Sequence, residues 1–381
     1  MTQDSYPAVF MRGGTSKALF FHLRDLPAAR ADWDAIFLAA IGAPDPNGRQ
    51  LNGMGGGVSS LSKIAVIGPP SRADADVDYT FAQVGITDAV VGYRANCGNI
   101  SSAVGPFAVD EGLVAARDGM VEVRIHNTNT GKIILARFAV EGGRAKVSGD
   151  FVLQGVAGSG APVRLAFTAP GGAATGRLLP TGRVRDVIEV AGFGALDVSL
   201  VDAANPVVFV KAAALGLTAT ESPEALTSDA ARMALFEEIR VAAALVMGLV
   251  SDPAEARTRL KNLPQVSLVA PPCPAPVLSG EMCAAGEMDV LTRIIASGQP
   301  HRATPLTGGM CLAVAARIPG TVVHEVARAQ VDDADIRVAH PSGVLVVAAR
   351  VERGEEGIVA REAVVYRTAR RLMEGRVFLQ G

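Results

Sequence analysis

The sequence predicts an α+β protein of two similar halves, each consisting of strands around a largely apolar helix. Short β-branched runs alternate with few helix-like stretches along 381 residues, a length that favours two domains. The run at 310–316 has no polar face, and a helix that is apolar all round must be buried. The two halves also repeat each other in order and spacing, which indicates a pseudo-twofold architecture.

The bulk composition excludes several classes of protein. Hydrophobic residues make up 49% of the chain, with 41 glycines and 22 prolines, which is typical of a turn-rich globular protein. A net charge of −2 gives no electrostatic reason to expect nucleic acid or a membrane surface as partner. Cys97, Cys273, Cys283 and Cys311 show neither metal-ligand nor disulfide spacing, so we expect reduced thiols and no metal. The chain shows no signal peptide and no membrane span, and we expect a cytoplasmic protein.

A Gly/Ala-rich tract at 155–176 and a Pro-Thr-Gly turn at 180–182 predict a boundary between domains 1–182 and 183–381. Each half then shows two strands, a helix and two more strands in the same order. In the first half these lie at 9–11, 18–21, 31–41, 64–67 and 77–86, and in the second at 199–201, 207–210, 228–249, 266–270 and 290–296.

The clearest repeat lies at the start of a second helix in each half. The segment 97–104 (CGNISSAV) aligns with 307–314 (TGGMCLAV), and both keep the glycine and the Ala-Val pair. Downstream, 126–131 (HNTNTG) precedes a strand at 132–140, and 340–343 (HPSG) precedes one at 344–350. We expect each of these helices to begin at the cleft between domains, where ligand sites commonly lie.

Cys97 is a candidate reactive thiol because it directly precedes a helix start. Helix N-termini carry unpaired N–H groups that stabilise a thiolate or bind an anion, so Gly98 and Asn99 are candidate substrate-binding residues. The alternative is a small core residue, the usual role of cysteine and the one that we expect for Cys311. Since Thr307 aligns with Cys97, a symmetric two-cysteine epimerase is disfavoured.

Lys63 is the candidate base. It follows the glycine-rich segment 52–62 and begins an apolar strand, where desolvation can remove a lysine's charge. The glycines Gly53, Gly55, Gly56 and Gly57 allow close approach of a ligand, and the segment matches neither a Walker loop nor a dinucleotide fingerprint. The alternative is a strand-end lysine that extends its ammonium group to water.

Three further segments are candidates for binding carboxylates. The turn at 12–17 brings hydroxyls and cations together, including Thr15, Ser16 and Lys17, although an ordinary β-turn is the alternative. Asn205 and the Ser342-Gly343 pair are ordinary turn residues in isolation. We include Asn205, Ser342 and Gly343 as candidates because the repeat places them near the positions that match Ser16 and Gly131 of the first half. None of the five histidines shows triad or metal spacing, so none is assigned a catalytic role.

Taken together, the segments 11–17 (MRGGTSK), 52–63, 96–99 (NCGN) and 340–343 (HPSG) resemble the PrpF family along the whole chain. That family contains 2-methylaconitate cis–trans isomerases, methylitaconate isomerases and 4-oxalomesaconate tautomerases. The resemblance implies the fold of diaminopimelate epimerase: two similar domains, each a β-barrel-like sheet around a central helix, with the site between them.

The same resemblance implies roles for particular residues. The family's catalytic lysine and cysteine correspond to Lys63 and Cys97. Its substrate-contacting loops correspond to Thr15, Ser16, Lys17, Gly308, Gly309, Met310, Ser342 and Gly343.

We therefore expect a cofactor-independent isomerase that moves a proton within a small unsaturated di- or tricarboxylic acid. The first alternative is a keto–enol tautomerase acting on an oxalomesaconate-like acid, which needs the same residues. The second is a non-catalytic accessory protein that binds a tricarboxylate, and a two-base amino-acid epimerase ranks last. The sequence leaves open the substrate, the direction of the proton shift, which of Lys63 and Cys97 is the base, and whether the chain forms a homodimer.

Overall fold

The computed structural model describes residues 3–93, 97–329, 335–354 and 357–379. Within them the α-helices are α1 (Trp33–Ile41), α2 (Gly98–Asp110), α3 (Pro223–Ser228), α4 (Ala230–Val246), α5 (Pro253–Thr258), α6 (Leu306–Ala316) and α7 (Val322–Val326). The strands are β1 (Ser5–Gly13), β2 (Ser16–His22), β3 (Lys63–Gly68), β4 (Val77–Val84), β5 (Val91–Gly92), β6 (Gly119–Asn127), β7 (Lys132–Glu141), β8 (Arg144–Ala145), β9 (Phe151–Val152), β10 (Ser159–Gly160), β11 (Val163–Thr168), β12 (Asp186–Val190), β13 (Gly194–Ala203), β14 (Asn205–Lys211), β15 (Gln265–Ala270), β16 (Ala275–Pro276), β17 (Met282–Cys283), β18 (Val290–Ala296), β19 (Gln299–Pro300), β20 (Ile336–His340), β21 (Gly343–Gly354), β22 (Gly357–Arg367) and β23 (Ala369–Phe378).

The chain divides into two compact units. The first contains Met1–Phe167 together with Tyr366–Gly381, and the second contains Thr168–Val365. These units differ from the predicted domains 1–182 and 183–381 chiefly in the C-terminal segment. β23 pairs antiparallel with β1, from Ser5 opposite Phe378 to Gly13 opposite Ala369, and this long ladder places the end of the chain in the first unit.

Both units have the same strand topology, which confirms the predicted internal repeat. In the first, β1 and β2 are antiparallel, β2 and β3 parallel, β3 and β4 antiparallel, β4 and β6 parallel, and β6 and β7 antiparallel. In the second, β13, β14, β15, β18, β20 and β21 pair in the same alternating order. The predicted helices at 31–41 and 228–249 are α1 and α4, each slightly shorter than expected.

In the first unit, the sheet has one helix on each face. Residues that alternate along β2, β3 and β4, such as Leu19, Ile64 and Ala82, pack with Trp33 and Phe37 of α1. The residues between them point to the opposite face, which α2 covers. The contact of Phe20 on β2 with Phe107 on α2, with ring centroids 5.4 Å apart, lies on that face. α2 is therefore buried along most of its length, as its apolar composition predicts.

The second unit is built in the same way, with α4 on one face of the sheet. Phe236 and Ile239 of α4 pack with Val208, Leu268 and Leu291 in one apolar cluster. α6 lies against the opposite face, and its residues from Gly308 to Ala316 are all buried. No helix in the described residues is long and apolar enough to span a membrane.

Candidate active site

Lys63 is the first residue of β3 and points to the face of the sheet that α2 covers. Its register pairs it with Ala18 of β2 and Gln83 of β4, and paired residues share a face. The side chain is largely buried, with the residue 8% exposed. Its Nζ donates a hydrogen bond to Gln83 Oε1 and lies 5.2 Å from the centroid of the Phe81 ring. Among the described residues, no carboxylate forms an ion pair with Lys63. The contacts of its Nζ are therefore a neutral amide oxygen and the face of an aromatic ring.

The glycine-rich segment before Lys63 packs against its own chain. A Cβ on Gly53 would lie 2.2 Å from the Gly42 nitrogen, and one on Gly57, which has φ +69°, would lie 2.3 Å from the Gly48 oxygen. The buried side chain of Gln50 accepts hydrogen bonds from Gly57 N at 3.0 Å and Ser62 Oγ at 2.6 Å. These glycines are therefore explained by tight packing of the loop that carries Lys63, and this reason is independent of any ligand.

Cys97 is the N-cap residue of α2 and is half-buried. Its carbonyl accepts hydrogen bonds from Ser101 N at 2.9 Å and Ser101 Oγ at 3.0 Å. The first amides of α2, including those of Gly98 and Asn99, have no acceptor within the helix, so the thiol lies at the positive end of the helix dipole. Residues 94–96, which include the Asn96 of the NCGN motif, lie outside the described residues.

Arg367, the last residue of β22, lies beside the start of α2. It is 6% exposed, and its Nε donates to Asn99 Oδ1 at 3.1 Å while Nη1 donates to the Tyr366 carbonyl at 2.8 Å. Burial lowers the pKa of Arg367 to about 10, an effect opposed by the negative charge of a Cys97 thiolate. No carboxylate in the described part of the chain pairs with this guanidinium. The sequence reasoning missed Arg367 because nothing local marks it as different from the chain's other arginines.

Tyr79 on β4 is a second residue near Cys97 that the sequence reasoning missed. Complete burial raises the pKa of Tyr79, and the charge of a Cys97 thiolate raises it further, with Ser101 opposing the rise. Its phenol therefore stays protonated at neutral pH and gives the thiol a neutral, polar neighbour.

The turn between β1 and β2 packs directly against Asn99. Asn99 Nδ2 donates to Thr15 Oγ1 at 3.1 Å. A Cβ on Gly13 would lie 2.5 Å from the Asn99 carbonyl oxygen, and one on Gly14, which has φ +52°, would lie 2.3 Å from Asn99 Oδ1. The structure thus brings together Thr15, Gly98 and Asn99 with Cys97, and only glycines allow this approach.

Arg12 and Lys17 of this turn make contacts away from Cys97. Arg12 Nη1 donates to the carbonyls of Gly14 and Thr368, at 2.9 and 3.0 Å. Its guanidinium therefore stabilises the turn through backbone hydrogen bonds. Ser16 is buried, and the Lys17 ammonium lies 5.5 Å from the Phe10 ring centroid. Because Lys17 and Phe10 lie on the face that packs with α1, Lys17 is not part of the cluster around Cys97.

In the second unit, the start of α6 is tied to the hairpin of β13 and β14. Asn205 Nδ2 donates to Thr307 Oγ1 at 3.1 Å, so an amide and a hydroxyl connect helix and hairpin as Asn99 and Thr15 do in the first unit, with the partners exchanged. A Cβ on Gly308 would lie 2.4 Å from Gln265 Oε1. The Gly309 amide donates to the Pro305 carbonyl at 2.9 Å, and Met310 is buried.

The turn at Ser342 and Gly343 connects β20 and β21. Ser342 Oγ donates to the Arg302 carbonyl at 2.5 Å, and the Ser342 amide donates to His340 Nδ1 at 3.1 Å. Gly343 has φ +128°, which a residue with a side chain rarely adopts. The hydroxyl proton of Ser342 is therefore committed to the protein, while its oxygen can still accept.

Cys311 has the structural role that we expected. It is fully buried within α6, its Sγ donates to the Val201 carbonyl at 3.4 Å, and burial raises its pKa far above the ordinary range. The four cysteines are all free. In the part of the chain that the structure describes, no three His, Cys, Asp or Glu residues are grouped so that they could hold a metal.

The fold and these sites define the class of protein. A hydroxyproline epimerase from Agrobacterium vitis superposes with a TM-score of 0.51 at 12% identity, covering 99% of this chain and 93% of that one. A crystal structure of methylitaconate-delta-isomerase superposes with a TM-score of 0.94 at 43% identity, covering 100% of this chain and 96% of that one. The architecture is thus that of the proline racemase and diaminopimelate epimerase type, as the family resemblance implied. The similarity at 43% identity shows that the chain is an isomerase.

The chain belongs to the PrpF family, whose model matches residues 3–380. It is 44% identical over 379 residues to 3-methylitaconate isomerase of Eubacterium barkeri, covering 99% of this chain and 98% of the relative. It is 41% identical over 386 residues to 2-methyl-aconitate isomerase of Shewanella oneidensis, covering 98% and 96%. It is also 38% identical over 380 residues to (4E)-oxalomesaconate Delta-isomerase of a Novosphingobium species, covering 99% and 98%.

Proposed function

We propose that this protein is a cofactor-independent isomerase that moves a proton along the allylic system of a small unsaturated di- or tricarboxylic acid of the methylitaconate or methylaconitate type. The observation that carries the proposal is the placement of Lys63. A buried lysine, for which the described part of the chain provides no carboxylate partner, lies on the sheet face covered by α2, the helix whose N-cap is Cys97. The names of the two most similar relatives described above support the substrate class.

In this mechanism the neutral amine of Lys63 removes a proton from an allylic carbon of the substrate. The electron pair of that C–H bond delocalises into the adjacent double bond and carboxylate as a dienolate. Lys63, now an ammonium, then returns its proton to a different carbon, so that the double bond moves and the amine is restored. If Cys97 is the donor instead, a proton must afterwards pass from the Lys63 ammonium to the Cys97 thiolate to restore both groups. General acid–base catalysis of this kind contributes about 10²–10⁴-fold.

The remaining acceleration must come from stabilising the dienolate. The first amides of α2, which have no acceptor within the helix, and the buried guanidinium of Arg367 both carry positive potential next to Cys97. Preorganised donors aimed at developing charge are commonly the largest single contribution to catalysis. We propose that these groups hold a substrate carboxylate and the charge that spreads onto it.

The substrate-binding set remains a proposal. Thr15, Gly98 and Asn99 are its best-supported members because they pack together beside Cys97. The others rest on the resemblance of their motifs to the family: Ser16, Lys17, Asn205, Gly308, Gly309, Met310, Ser342 and Gly343.

Proton NMR in heavy water tests the proposal. The purified protein is incubated with aconitates, methylaconitates, itaconates and oxalomesaconate in turn. We expect deuterium to enter an allylic position of at least one acid as its double bond moves. If none of these acids exchanges or isomerises, the proposed function is wrong. Binding without exchange would instead indicate an accessory protein.

A keto–enol tautomerase is the second candidate, favoured by the relative that acts on oxalomesaconate. It would use the same residues on a more acidic C–H bond. The same panel separates the two, because a tautomerase exchanges oxalomesaconate much faster than the acids that lack a keto group.

We also propose that the protein is cytoplasmic and that it forms a homodimer. The four free thiols support a reducing compartment. Fractionation of the source cells tests the location, and light scattering of the purified chain tests the dimer.

A further inference from the structure

We propose that Gln83 is the positioning residue of Lys63. Its amide oxygen, fixed in one orientation, accepts a hydrogen bond from Lys63 Nζ but carries no negative charge that would favour the ammonium form. This inference rests on the proposed function for its catalytic meaning, but the contact itself does not. Lys63 and Gln83 face each other across the antiparallel pair of β3 and β4, and Lys63 Nζ donates to Gln83 Oε1.

The orientation of the Gln83 amide is fixed by its other end. Nε2 donates to the Ser62 carbonyl at 2.9 Å and to the Ser59 carbonyl at 3.1 Å. Carbonyl oxygens only accept, so the NH₂ group must face them and the oxygen must face Lys63. A flipped amide would oppose oxygen to two carbonyls and NH₂ to the lysine. The loop at 59–62 therefore determines which atom Lys63 meets.

A neutral oxygen is suited to a lysine that must gain and lose a proton. It accepts a hydrogen bond from either the amine or the ammonium form and so fixes the direction of the remaining Nζ positions. A carboxylate in the same place would hold the lysine as an ammonium to higher pH, because an opposite charge within hydrogen-bonding distance favours the charged form. Gln83 thus orients the base without placing a negative charge beside it.

The other ionisable groups on this face of the sheet do not replace Gln83. Tyr79 lies further along β4 toward Cys97, and Arg367 contacts the start of α2. At the far end of the face, His22 pairs with Glu111, which also binds Arg371. Of the contacts described for Lys63, only those with Gln83 and Phe81 involve its ammonium group directly.

The test compares Gln83→Glu, Gln83→Leu and a matched control, Gln50→Glu. Gln50 supports the same loop, through Gly57 and Ser62, and makes the same kind of amide contacts without touching Lys63. Lys63 reactivity toward acetic anhydride is measured from pH 6 to pH 11 by peptide mass spectrometry. The exposed Lys132 of the same molecule is the internal reference. Circular dichroism checks the fold of each variant.

We expect Gln83→Glu to raise the pH of half-maximal Lys63 labelling by about one to three pH units, with Lys132 and the Gln50→Glu variant unchanged. Turnover at neutral pH should fall by roughly 10²-fold and recover partly as pH rises. Gln83→Leu should lower kcat by a similar factor without that recovery. This dependence on pH separates positioning of a base from general support of the loop.

Unchanged Lys63 labelling in a folded Gln83→Glu variant would overturn the proposal, as would the same shift in Gln50→Glu. If Gln83→Glu does not fold, Gln83→Leu decides: wild-type kcat with a wild-type pH profile overturns it. A labelling shift in a protein that isomerises none of the test acids would refute the proposed function while supporting the Gln83–Lys63 contact.

Discussion

The two units share one topology and differ at the positions where chemistry would occur. Lys63 begins β3 beside Ala18, and its counterpart Gln265 begins β15 beside Val207. Cys97 caps α2, whereas the aligned residue at the start of α6 is Thr307. At these aligned positions, which all lie in the described part of the chain, the first unit has a lysine and an N-cap thiol where the second has an amide and a hydroxyl. The two units thus share a scaffold, while the lysine at the strand start and the thiol at the helix start are features of the first.

The surroundings of the two counterpart residues differ as well. Lys63 donates to the fixed oxygen of Gln83. Gln265 Oε1 is buried and, among the described residues, has no hydrogen-bond partner. A buried lysine with a partner can exchange protons, while a buried amide cannot. This contrast makes paired substitutions informative.

The largest effect should come from Lys63→Met compared with Gln265→Met. Removing the base should lower deuterium exchange and isomerisation at least about 10³-fold, while the nonpolar replacement leaves folding intact. Gln265→Met should lower the same rates by less than about tenfold, because the amide of Gln265 does not carry a proton in the reaction. NMR rates in heavy water measure both. Equal losses in the two variants would remove the asymmetry between the units.

The thiol should matter less than the lysine. Cys97→Ser replaces the thiol at the N-cap by a hydroxyl, which is a much weaker acid, so we expect turnover to fall by about 10²-fold. The counterpart change Thr307→Ser keeps the hydroxyl that accepts from Asn205 and should change turnover by less than about threefold. Near-normal turnover in Cys97→Ser would restrict Cys97 to anion binding.

Arg367→Met tests whether the buried guanidinium, which pairs with no carboxylate among the described residues, stabilises the dienolate. Burial depresses the pKa of Arg367 to about 10, so the guanidinium stays charged at neutral pH, but burying that charge destabilises the folded protein relative to the unfolded chain. Removing it should leave the melting temperature unchanged or higher, while turnover falls by about 10²-fold as dienolate stabilisation is lost. Arg367→Lys keeps a cation and should retain more turnover than Arg367→Met. A variant that unfolds, or one that keeps full turnover, would contradict this role.

The sequence predicted the repeat because its evidence is local: apolar periodicity, glycine turns and helix starts. It missed Gln83, Tyr79 and Arg367 because their contacts depend on strand register and on chain segments far apart, with 268 residues separating Arg367 from Asn99. The place of β23 in the first unit could not be predicted either, because it depends on pairing with β1, which lies at the other end of the chain. The direction of Lys17, by contrast, follows from the alternation of adjacent strand residues, which a period-two analysis of 16–22 could have shown.

Two glycines should differ in their effect on stability: Gly13 of β1, which packs against the start of α2, and Gly308 in the first turn of α6. Gly13→Ala would place a Cβ against the Asn99 carbonyl and the Ile100 Cα, which are backbone atoms that cannot yield without moving α2. We expect a loss of about 3 kcal/mol in the free energy of unfolding. Gly308→Ala meets the Gln265 side chain, which can move, so the loss should be about 1 kcal/mol. Urea denaturation measures both, with Gly286→Ala, which meets no atom within 4 Å, as the neutral control.

The smallest predicted effect concerns the far ends of the same two helices. At the end of α2, burial opposes ionisation of Glu111, but hydrogen bonds from His22 and Arg371 outweigh it and lower the pKa of Glu111 below its ordinary 4.5. At the end of α6, neutral groups serve instead, since Thr321 Oγ1 donates to the Ala315 carbonyl at 2.7 Å.

Because the pKa of Glu111 is lower in the folded state, its contribution is present above about pH 4.5 and is lost as pH falls through the folded value. Glu111→Gln should therefore destabilise the protein by about 1 kcal/mol at pH 7, and the difference should shrink as pH falls below 4.5. Hydrogen exchange should show reduced protection in α2 and unchanged protection in α6. Equal loss in both helices, or a difference that persists in acid, would show that the charge on Glu111 does not anchor α2.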